Sequence, residues 1–368
     1  MQVKKPFAEL SSFRFKHIFK GGFNLGRILG TFEFEAMVYQ ELIPTLNKVS
    51  SKVKLGTTVP MVYVQDQKGQ EALILDHMKQ YGWRDAINKK QGLDLDHIQM
   101  ALEWLAKFHG LSHVLMQNQP DFLRKYKPIN QRLDEATKSM MKNARQNLAG
   151  RLTKSVAFLE TEENPKKYTD WITGLFAKNV VIDDLKDKMQ TPTAFGFNAI
   201  NHLDTWFNNM LFQYNEKNQV QEVLFLDFQG SGYCNVGNDI AMLLLSSTTK
   251  EFRDQNLKKV LMHYLKSLKD TVLKASNKDL KYSMADLKKD YRFGLPVGLT
   301  FCFNALPMIL CEPEDVIDFS TVNFDDVKAQ KTFVANASDS FNNILKTNAN
   351  VQTRLRGILD DMIDAQIL

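Results

Sequence analysis

Near the start of the chain, apolar residues recur at the spacing of a helix. In TFEFEAMVYQELIPTLNKV, residues 31–49, they occupy positions 34, 37, 38, 42 and 46. This period of three to four residues predicts a helix with one buried face. Pro44 predicts a break or kink near the end of the helix, because proline cannot donate an internal backbone hydrogen bond.

Two short runs of β-branched and aliphatic residues follow this helix. They are TTVPMVYVQD and QEALILDHM, and QDQKGQ separates them. Such runs on either side of a glycine-containing turn predict two antiparallel strands. The polar stretch KQYGWRDAINKKQG comes next and predicts an irregular connection.

From Asp94 onward the pattern is mostly helical, and Asp94 or Asp96 is a candidate N-cap. Residues 199–230 are an exception, because INHLDTWFNNMLFQY and VQEVLFLDFQG predict two extended segments on either side of the turn NEKN. Helical patterns return beyond Gly237. This order predicts two lobes with a cleft between them, which we divide at residues 1–80 and 81–368.

Composition is that of a globular protein, with 44% hydrophobic and 24% charged residues. The chain has 47 Lys and Arg against 42 Asp and Glu, and the basic residues are dispersed. A surplus this small gives no case for nucleic acid or an anionic membrane as a partner. We expect a monomer.

Cysteine usage and the N-terminus bear on location. Cys234, Cys302 and Cys311 are odd in number and far apart, so they predict neither a disulfide framework nor a thiolate metal site. The N-terminal residues lack the apolar core of a secretory signal, and no run of about 18 apolar residues is unbroken. We therefore expect a cytoplasmic protein.

The extended segments carry polar residues inside apolar runs, at His202, Asp204, Asn209 and Asp227. Buried polar groups are costly unless they are paired or functional. The spacing H-x-D-x-x-x-x-N, followed by an Asp at a strand end, is the arrangement that phosphoryl transfer requires. Asp204 is the candidate base, and Asn209 with Asp227 is the candidate Mg²⁺ pair, because Mg²⁺ prefers oxygen ligands.

Structural roles are the alternative for each polar residue. Asp204 and Asn209 taken singly are typical turn-capping residues, but their joint spacing with Asp227 favours chemistry. His109 and His113 stand four apart on one helix without an acidic third ligand, which favours packing over metal binding.

Three further residues are expected to support the catalytic loop rather than to take part in the chemistry. Asp239 is expected to cap its helix and brace that loop. Trp206 and Phe212 are expected to anchor the loop in the core rather than to stack on a substrate.

These motifs resemble those of the ecdysteroid kinase-like family, which is similar to choline kinases and aminoglycoside phosphotransferases. The family's loop H-G-D-x-W-x-x-N-x-x-F is matched in HLDTWFNNMLF, and its D-F-Q is matched at 227–229. LAKFHGLSH resembles its helix before the loop, and NDIAMLLLSS its following helix. The resemblance runs from about residue 31 to about residue 310.

The resemblance implies an α+β, two-lobed protein kinase-like fold, with a small, truncated strand-plus-helix N-lobe and a large, mostly helical C-lobe. It also implies ATP and Mg²⁺ as cofactors, with Asp204 as base and Asn209 and Asp227 as metal ligands. The remaining nucleotide-binding residues that it implies are the helix glutamate Glu35, the strand lysine Lys4, and the backbone of Asp76 and Met78 beside adenine.

Two departures from the family's pattern bear on activity. Leu203 stands where the family has glycine, so a side chain there crowds the loop or requires an unfavourable dihedral angle. If Lys4 is the strand lysine, the two strands with the phosphate-covering loop are missing, and nucleotide binding is weakened. KGGFNLGRILG follows no convincing strand and is a poor substitute.

Two functions remain open at this point. The first is an ATP- and Mg²⁺-dependent kinase that phosphorylates a hydroxyl of a small molecule, a steroid or another lipophilic alcohol, as the resemblance implies. The second is a catalytically inactive binding module, because the N-lobe is incomplete. An all-helical scaffold without a site would leave the spacing of the polar residues unexplained.

Overall fold

The chain forms a small lobe around a three-stranded sheet and a larger lobe that is mostly helical. The structure is a computed structural model. It describes residues 13–17, 30–65, 71–86, 89–132, 156–177, 191–311 and 340–366. The α+β, two-lobed architecture expected from the sequence is confirmed within these residues.

The described part of the small lobe contains one antiparallel sheet and one long helical segment. The sheet has the strand order β1-β3-β2. Its elements are β1 (Phe13–His17), α1 (Thr31–Met37), a π-helical turn (Val38–Leu42), α2 (Ile43–Val49), β2 (Met61–Gln65) and β3 (Glu71–Asp76).

The helix predicted over residues 31–49 is confirmed, and it widens before its proline. The amide of Ile43 donates to the carbonyl of Val38, five residues back, in the π-helical turn. A proline ring in regular α-geometry clashes with the carbonyl four residues earlier. The wider turn just before Pro44 gives that ring room, so the helix continues to Val49.

Strand β1 was not predicted from the sequence. It pairs antiparallel with β3, and Lys16 is the register partner of Leu73. The interpretation of Lys4 as the strand lysine placed the strand at the start of the chain, in residues that lie outside the described ones. The strand that borders β3 in the structure instead begins at Phe13. The predicted absence of earlier strands stays a prediction.

The predicted pair of strands β2 and β3 is confirmed as antiparallel, with Tyr63 opposite Leu73. The turn QDQKGQ that was expected between them falls almost entirely outside the described residues.

In the larger lobe, the described residues form long helices and two small antiparallel sheets, β4-β7 and β5-β6. Helical residues 340–347 also belong to it. Its other helices and strands are α3 (Leu95–Asn118), α4 (Pro120–Leu123), α5 (Ile129–Arg132), α6 (Lys167–Ala177), β4 (Asn198–Asn201), β5 (Met210–Tyr214), β6 (Val220–Phe225), β7 (Gly232–Asn235), α7 (Gly237–Ser247), α8 (Lys250–Ser276), α9 (Met284–Leu310) and α10 (Ala349–Asp364). Short 3₁₀ turns connect several of them, at Met78–Tyr81, Lys89–Gln91, Ala157–Leu159, Phe207–Asn209 and Phe228–Gly230.

The predicted start of α3 is confirmed, because the Asp94 carboxylate accepts the amide hydrogen of His97. The first of the two predicted extended segments is wrong as a single strand. It divides into β4 and β5, which belong to different sheets, and a loop with the 3₁₀ turn Phe207–Asn209 lies between them. Strand β7, which pairs with β4, was also missed.

Close backbone contact between α7 and α9 fixes the base of the larger lobe. A Cβ at Gly237 would lie 1.8 Å from the carbonyl oxygen of Asp290, and one at Gly294 would lie 2.0 Å from that of Gly237. No side chain larger than hydrogen fits at these distances, so both glycines are required where the helices cross.

Helix α9 is the most apolar long helix among the described residues. By length and composition it could cross a membrane, but 67% of its most apolar window is buried inside the protein. It packs against α7 and α10. This burial is that of a core helix, and the expectation that the chain has no membrane partner stays a prediction.

Candidate active site

The loop between β4 and β5, residues 202–209, is held by one buried carboxylate. Asp239 of α7 accepts the amide hydrogens of His202 and Leu203 at Oδ2 and Oδ1, both at 2.7 Å. Its backbone carbonyl also accepts the hydroxyl of Thr205, at 2.9 Å. The expectation that Asp239 braces this loop agrees with these contacts, whereas its side chain makes no N-cap hydrogen bond.

The same carboxylate receives support from the core. His109 contacts Oδ2 of Asp239 through Nε2 at 3.1 Å, and its Nδ1 lies 2.8 Å from the hydroxyl of Tyr264 in α8. His113, one turn away, packs instead against Phe197. The two histidines therefore have separate structural contacts, in line with packing rather than metal binding.

Leu203 adopts the dihedral angle that its side chain disfavours. Its φ is 61°, in the left-handed region, where the ecdysteroid kinase-like pattern has glycine. Asp239 holds the backbone of Leu203 in this conformation through the amide hydrogen bond described above. The backbone of the loop thus keeps this turn despite the substitution.

His202 connects the loop to the strand that precedes Asp227. Its Nε2 lies 3.0 Å from the carbonyl of Leu226, and its Nδ1 accepts the amide hydrogen of Asp204 at 3.3 Å. Full burial lowers the pKa of His202 below its usual 6.5. The neutral tautomer with hydrogen on Nε2 satisfies both contacts, so His202 positions the loop without carrying charge.

Asp204 and Asn209 contact each other directly. The Asn209 amide nitrogen donates to Oδ2 of Asp204 at 2.7 Å and to its backbone carbonyl at 3.0 Å. This arrangement orients the carboxylate. It also leaves Oδ1 as the side-chain atom of Asn209 that can ligate a cation, because the nitrogen is a donor.

Asp227 follows β6 and has a φ of 66°, which turns the chain sharply. Its amide donates to the hydroxyl of Tyr39 in the π-helical turn at 3.3 Å. The ring of Tyr39 also packs edge-on against Phe228, with centroids 5.2 Å apart. Burial is the main cause that raises the pKa of Tyr39, and the negative charges of Glu35 and Asp227 raise it further. Its hydroxyl therefore stays neutral.

A cleft of about 420 Å³ lies between the two lobes and brings most of the predicted residues together. It is lined by Glu35, Val59, Leu75, Asp76, His77, Met78, Lys79, Asn208, Asn209, Leu211, Leu226 and Asp227. Five residues singled out in the sequence are among them. Asp204 does not line the cleft, but its carboxylate accepts a hydrogen bond from Asn209, which is a lining residue.

The small lobe contributes two carboxylates to this cleft, Glu35 and Asp76. Glu35 on α1 is only 1% exposed. The carboxylate of Asp76 accepts hydrogen bonds from Gln80 and Tyr81, each at 2.9 Å, so its side chain orders the connection after β3.

Sequence reasoning missed two residues around the site. Tyr39 contacts Asp227, and Arg132 donates to the carbonyl of Gln229 at 2.8 Å while its guanidinium lies 3.5 Å above the ring of Phe34. Burial lowers the pKa of Arg132 to about 10. Neither residue has a local sequence signal, because its contacts join segments far apart in the chain.

The residues present fit a divalent cation shared with phosphates. Among the residues that the structure describes, no group of three or more His, Cys, Asp or Glu could hold a metal. Asn209 and Asp227 offer one amide oxygen and one carboxylate in the same cleft. That pair suits Mg²⁺, which commonly takes one or two protein carboxylates and completes its octahedron with phosphates and water.

Comparison with known families identifies the class of this protein. The model of the ecdysteroid kinase-like family matches residues 21–277, which is more than half of the chain. The chain therefore belongs to the ecdysteroid kinase-like family. Its motif residues His202, Asp204, Asn209 and Asp227 all lie within the matched range.

Solved structures and curated proteins add little to this assignment. An ethanolamine kinase of Plasmodium vivax is 12% identical, with 89% of this chain and 81% of that chain covered, at a TM-score of 0.37. A protein of Ralstonia eutropha described as an aminoglycoside phosphotransferase is 13% identical, with 84% and 83% covered, at a TM-score of 0.34. Scores this low carry no argument about function. No curated protein matches.

Proposed function

We propose that this protein transfers the γ-phosphoryl group of ATP, with Mg²⁺, to a hydroxyl of a small molecule. The observation that carries the proposal is the cleft between the lobes, in which Asn209 and Asp227 face Glu35 while Asn209 bonds to Asp204. Membership of a kinase-like family supports the same reaction class.

The apolar part of the cleft suits the adenine ring. Val59 and Leu75 come from the small lobe, and Leu211 and Leu226 come from the larger one. A flat heterocycle is commonly held between such side chains, with backbone groups providing the hydrogen bonds. The backbone of Asp76 and Met78, at the connection between the lobes, would supply those hydrogen bonds.

Asn209 Oδ1 and the Asp227 carboxylate would hold Mg²⁺. When bound, the ion neutralises charge on the β- and γ-phosphates and so favours transfer. The Tyr39 hydroxyl fixes the backbone of Asp227, which keeps its carboxylate at the cleft.

The register of β1 changes the candidate for the phosphate-binding lysine. Lys16 is paired with Leu73, and Leu73 is buried against Phe32 and Ala36 of α1, the helix that carries Glu35. Because β1 borders β3 in this sheet, we propose that the strand lysine is Lys16 of β1, rather than Lys4.

Asp204 would accept the proton of the acceptor hydroxyl. The hydroxyl oxygen forms a bond to the γ-phosphorus, the bond from that phosphorus to the β,γ-bridging oxygen breaks, and ADP leaves with the electron pair. Asn209 holds the carboxylate in position for this transfer. A positioned base of this kind contributes about 10²–10⁴ in rate.

The acceptor class comes from the family description, which points to a steroid or another lipophilic alcohol. We also propose that the protein acts as a monomer in the cytoplasm. A binding module without turnover is the alternative, and the strained Leu203 in the catalytic loop favours it.

The function is tested by the variant Asp204→Ala. We expect turnover of ATP with a hydroxylated lipophilic acceptor to fall by about 10²–10⁴, with little change in Mg·ATP affinity. The matched control is Asp270→Ala on α8, which loses only an exposed pair with Lys266 and should keep its activity.

Unchanged turnover in Asp204→Ala would overturn the assignment of the base. Mg·ATP binding by the wild-type protein without consumption, across a range of alcohols, would instead support the binding module.

A further inference from the structure

A loop of the small lobe forms part of one wall of the cleft. It comprises residues 50–60, between α2 and β2, and we call it the wall loop. Val59 of this loop is buried and lines the cleft. The carbonyl of Pro60 accepts the amide hydrogen of Asp76, a second lining residue, at 3.0 Å. A shift of the wall loop would therefore move this side of the cleft.

The larger lobe holds the middle of the wall loop. Oε1 of Glu222 in β6 accepts the amide hydrogen of Thr57 at 2.8 Å. Gly56 has a φ of 91°, and a Cβ there would lie 2.8 Å from the same oxygen. A side chain at this position would be strained and would press on the carboxylate. Glycine therefore lets the loop turn and approach Glu222 closely.

The start of the wall loop is fixed from within the small lobe. Oδ1 of Asn47 accepts the amide hydrogen of Leu55 at 2.9 Å, and the ammonium group of Lys54 donates to the carbonyl of Ser50 at 2.8 Å. These contacts shape the loop, but they do not attach it to the larger lobe. The hydrogen bond from Thr57 to Glu222 makes that attachment.

The hairpin of β5 and β6 also holds the connection between the lobes. Arg84 in this connection exchanges two backbone hydrogen bonds with Phe212 of β5, at 2.8 and 3.0 Å. Gln213 of β5 is the register partner of Glu222, and its side chain donates to the carbonyl of Tyr81 at 3.3 Å. One strand of the hairpin therefore supports the connection, and the other supports the wall loop.

The contact at Glu222 requires an oxygen acceptor rather than a negative charge. Its donor, the Thr57 amide, is neutral. The side chain of glutamine carries a carbonyl oxygen at the same position, so it can accept the same hydrogen, whereas alanine cannot. Replacement by glutamine therefore separates the hydrogen bond from any effect of the charge on nearby phosphates.

We propose that Glu222 is a positioning residue for the nucleotide. It holds the wall loop on the β5-β6 hairpin and so keeps Val59 and the connection between the lobes at the spacing that the adenine ring requires. Glu222 does not line the cleft, so it acts through the wall loop. This inference rests on the proposed function, since the ligand that the wall loop would contact is ATP.

The first measurement is hydrogen exchange at the Thr57 amide without nucleotide, resolved by mass spectrometry with electron-transfer fragmentation. Glu222→Ala should speed exchange by about 3–10-fold, the range for one lost hydrogen bond. Glu222→Gln should exchange like the wild type. Gly56→Ala should speed exchange as well, because its Cβ displaces the carboxylate.

The second measurement is calorimetric titration with Mg·ATP. Glu222→Ala should raise the Kd by about 3–10-fold, and Glu222→Gln should restore the wild-type value. The matched control is Gln221→Ala, at the neighbouring position of β6, whose side chain donates to the carbonyls of Gln219 and Val220. It should change neither the exchange of Thr57 nor the Kd. Melting curves establish that each variant is folded.

The positioning role is overturned if Thr57 exchanges equally fast in the wild type and Glu222→Ala, or if Glu222→Gln behaves like Glu222→Ala. It is also overturned if exchange changes as expected while the Kd for Mg·ATP does not, and in that case the kinase function still stands. A wild-type protein that binds no Mg·ATP would instead overturn the proposed function itself, together with the role of Glu222 toward the nucleotide.

Discussion

At the scale of single residues, Leu203 combines a strained backbone with a buried side chain. Its φ of 61° is unfavourable for a residue with a Cβ, and its side chain is only 7% exposed. Burial of the leucine and strain of its backbone therefore oppose each other. Replacing Leu203 by alanine or by glycine removes the buried side chain in both cases. The difference in the free energy of unfolding between these two variants therefore reports the backbone strain.

We expect Leu203→Gly to be more stable than Leu203→Ala by about 1 kcal/mol, because glycine adopts a positive φ without cost. Chemical denaturation of both variants measures the difference. The control is Leu243 in α7, which is fully buried in a helix, where glycine should be the less stable by about 1 kcal/mol. If the glycine variant were less stable than the alanine variant at both positions, Leu203 would not be strained.

At the scale of elements, Asp239 joins three parts of the larger lobe. It contacts the loop after β4, it belongs to α7, and His109 connects it to α3 and, through Tyr264, to α8. All of these groups are buried. Removing the carboxylate leaves two backbone amides and one imidazole without an acceptor, and each unsatisfied buried donor is costly.

We expect Asp239→Ala to lower the free energy of unfolding by about 3 kcal/mol or more. Asp239→Asn, which keeps one oxygen, should lose less. The control Asp254→Ala removes only an exposed pair with Lys250, and its loss should stay below about 1 kcal/mol. Denaturant titration measures all three, and a small loss in Asp239→Ala would mean that other contacts hold the loop.

At the scale of the whole molecule, the cleft of the proposed nucleotide site exists only where the two lobes meet. Glu35 belongs to the small lobe, whereas Asn209 and Asp227 belong to the larger lobe. In the proposed reaction, groups from both lobes act on the same phosphates and cation. Changes in charge on either lobe should weaken the binding of Mg·ATP.

We expect Asp227→Asn to weaken Mg·ATP binding by about tenfold or more and to raise the Mg²⁺ requirement, because it removes a full charge beside the cation. Asn209→Ala should have a smaller effect. Lys16→Met should also weaken binding, while Lys4→Met should not. Calorimetric titration of ATP at several Mg²⁺ concentrations checks all four variants.

Two outcomes would contradict this account. Equal and negligible effects of Asp227→Asn and Asn209→Ala would make these residues structural. A loss in Lys4→Met without one in Lys16→Met would restore the lysine first expected from the sequence.

The sequence by itself determined the elements and motifs whose information is local. The helix over residues 31–49, the start of α3 at Asp94 and the pair of strands after residue 60 follow from periodicity and capping over a few neighbouring residues. The spacing from His202 to Asp227 likewise lies within one stretch of chain, so its chemistry could be interpreted before the fold was known.

Only the tertiary structure decided the features that depend on distant segments. Strand β1 has five residues and pairs with β3, more than fifty residues later, so this pairing leaves no local pattern. The contact of Tyr39 with Asp227 has the same origin. Local periodicity specifies which face of an element is apolar, but the packing of the whole chain decides what that face meets.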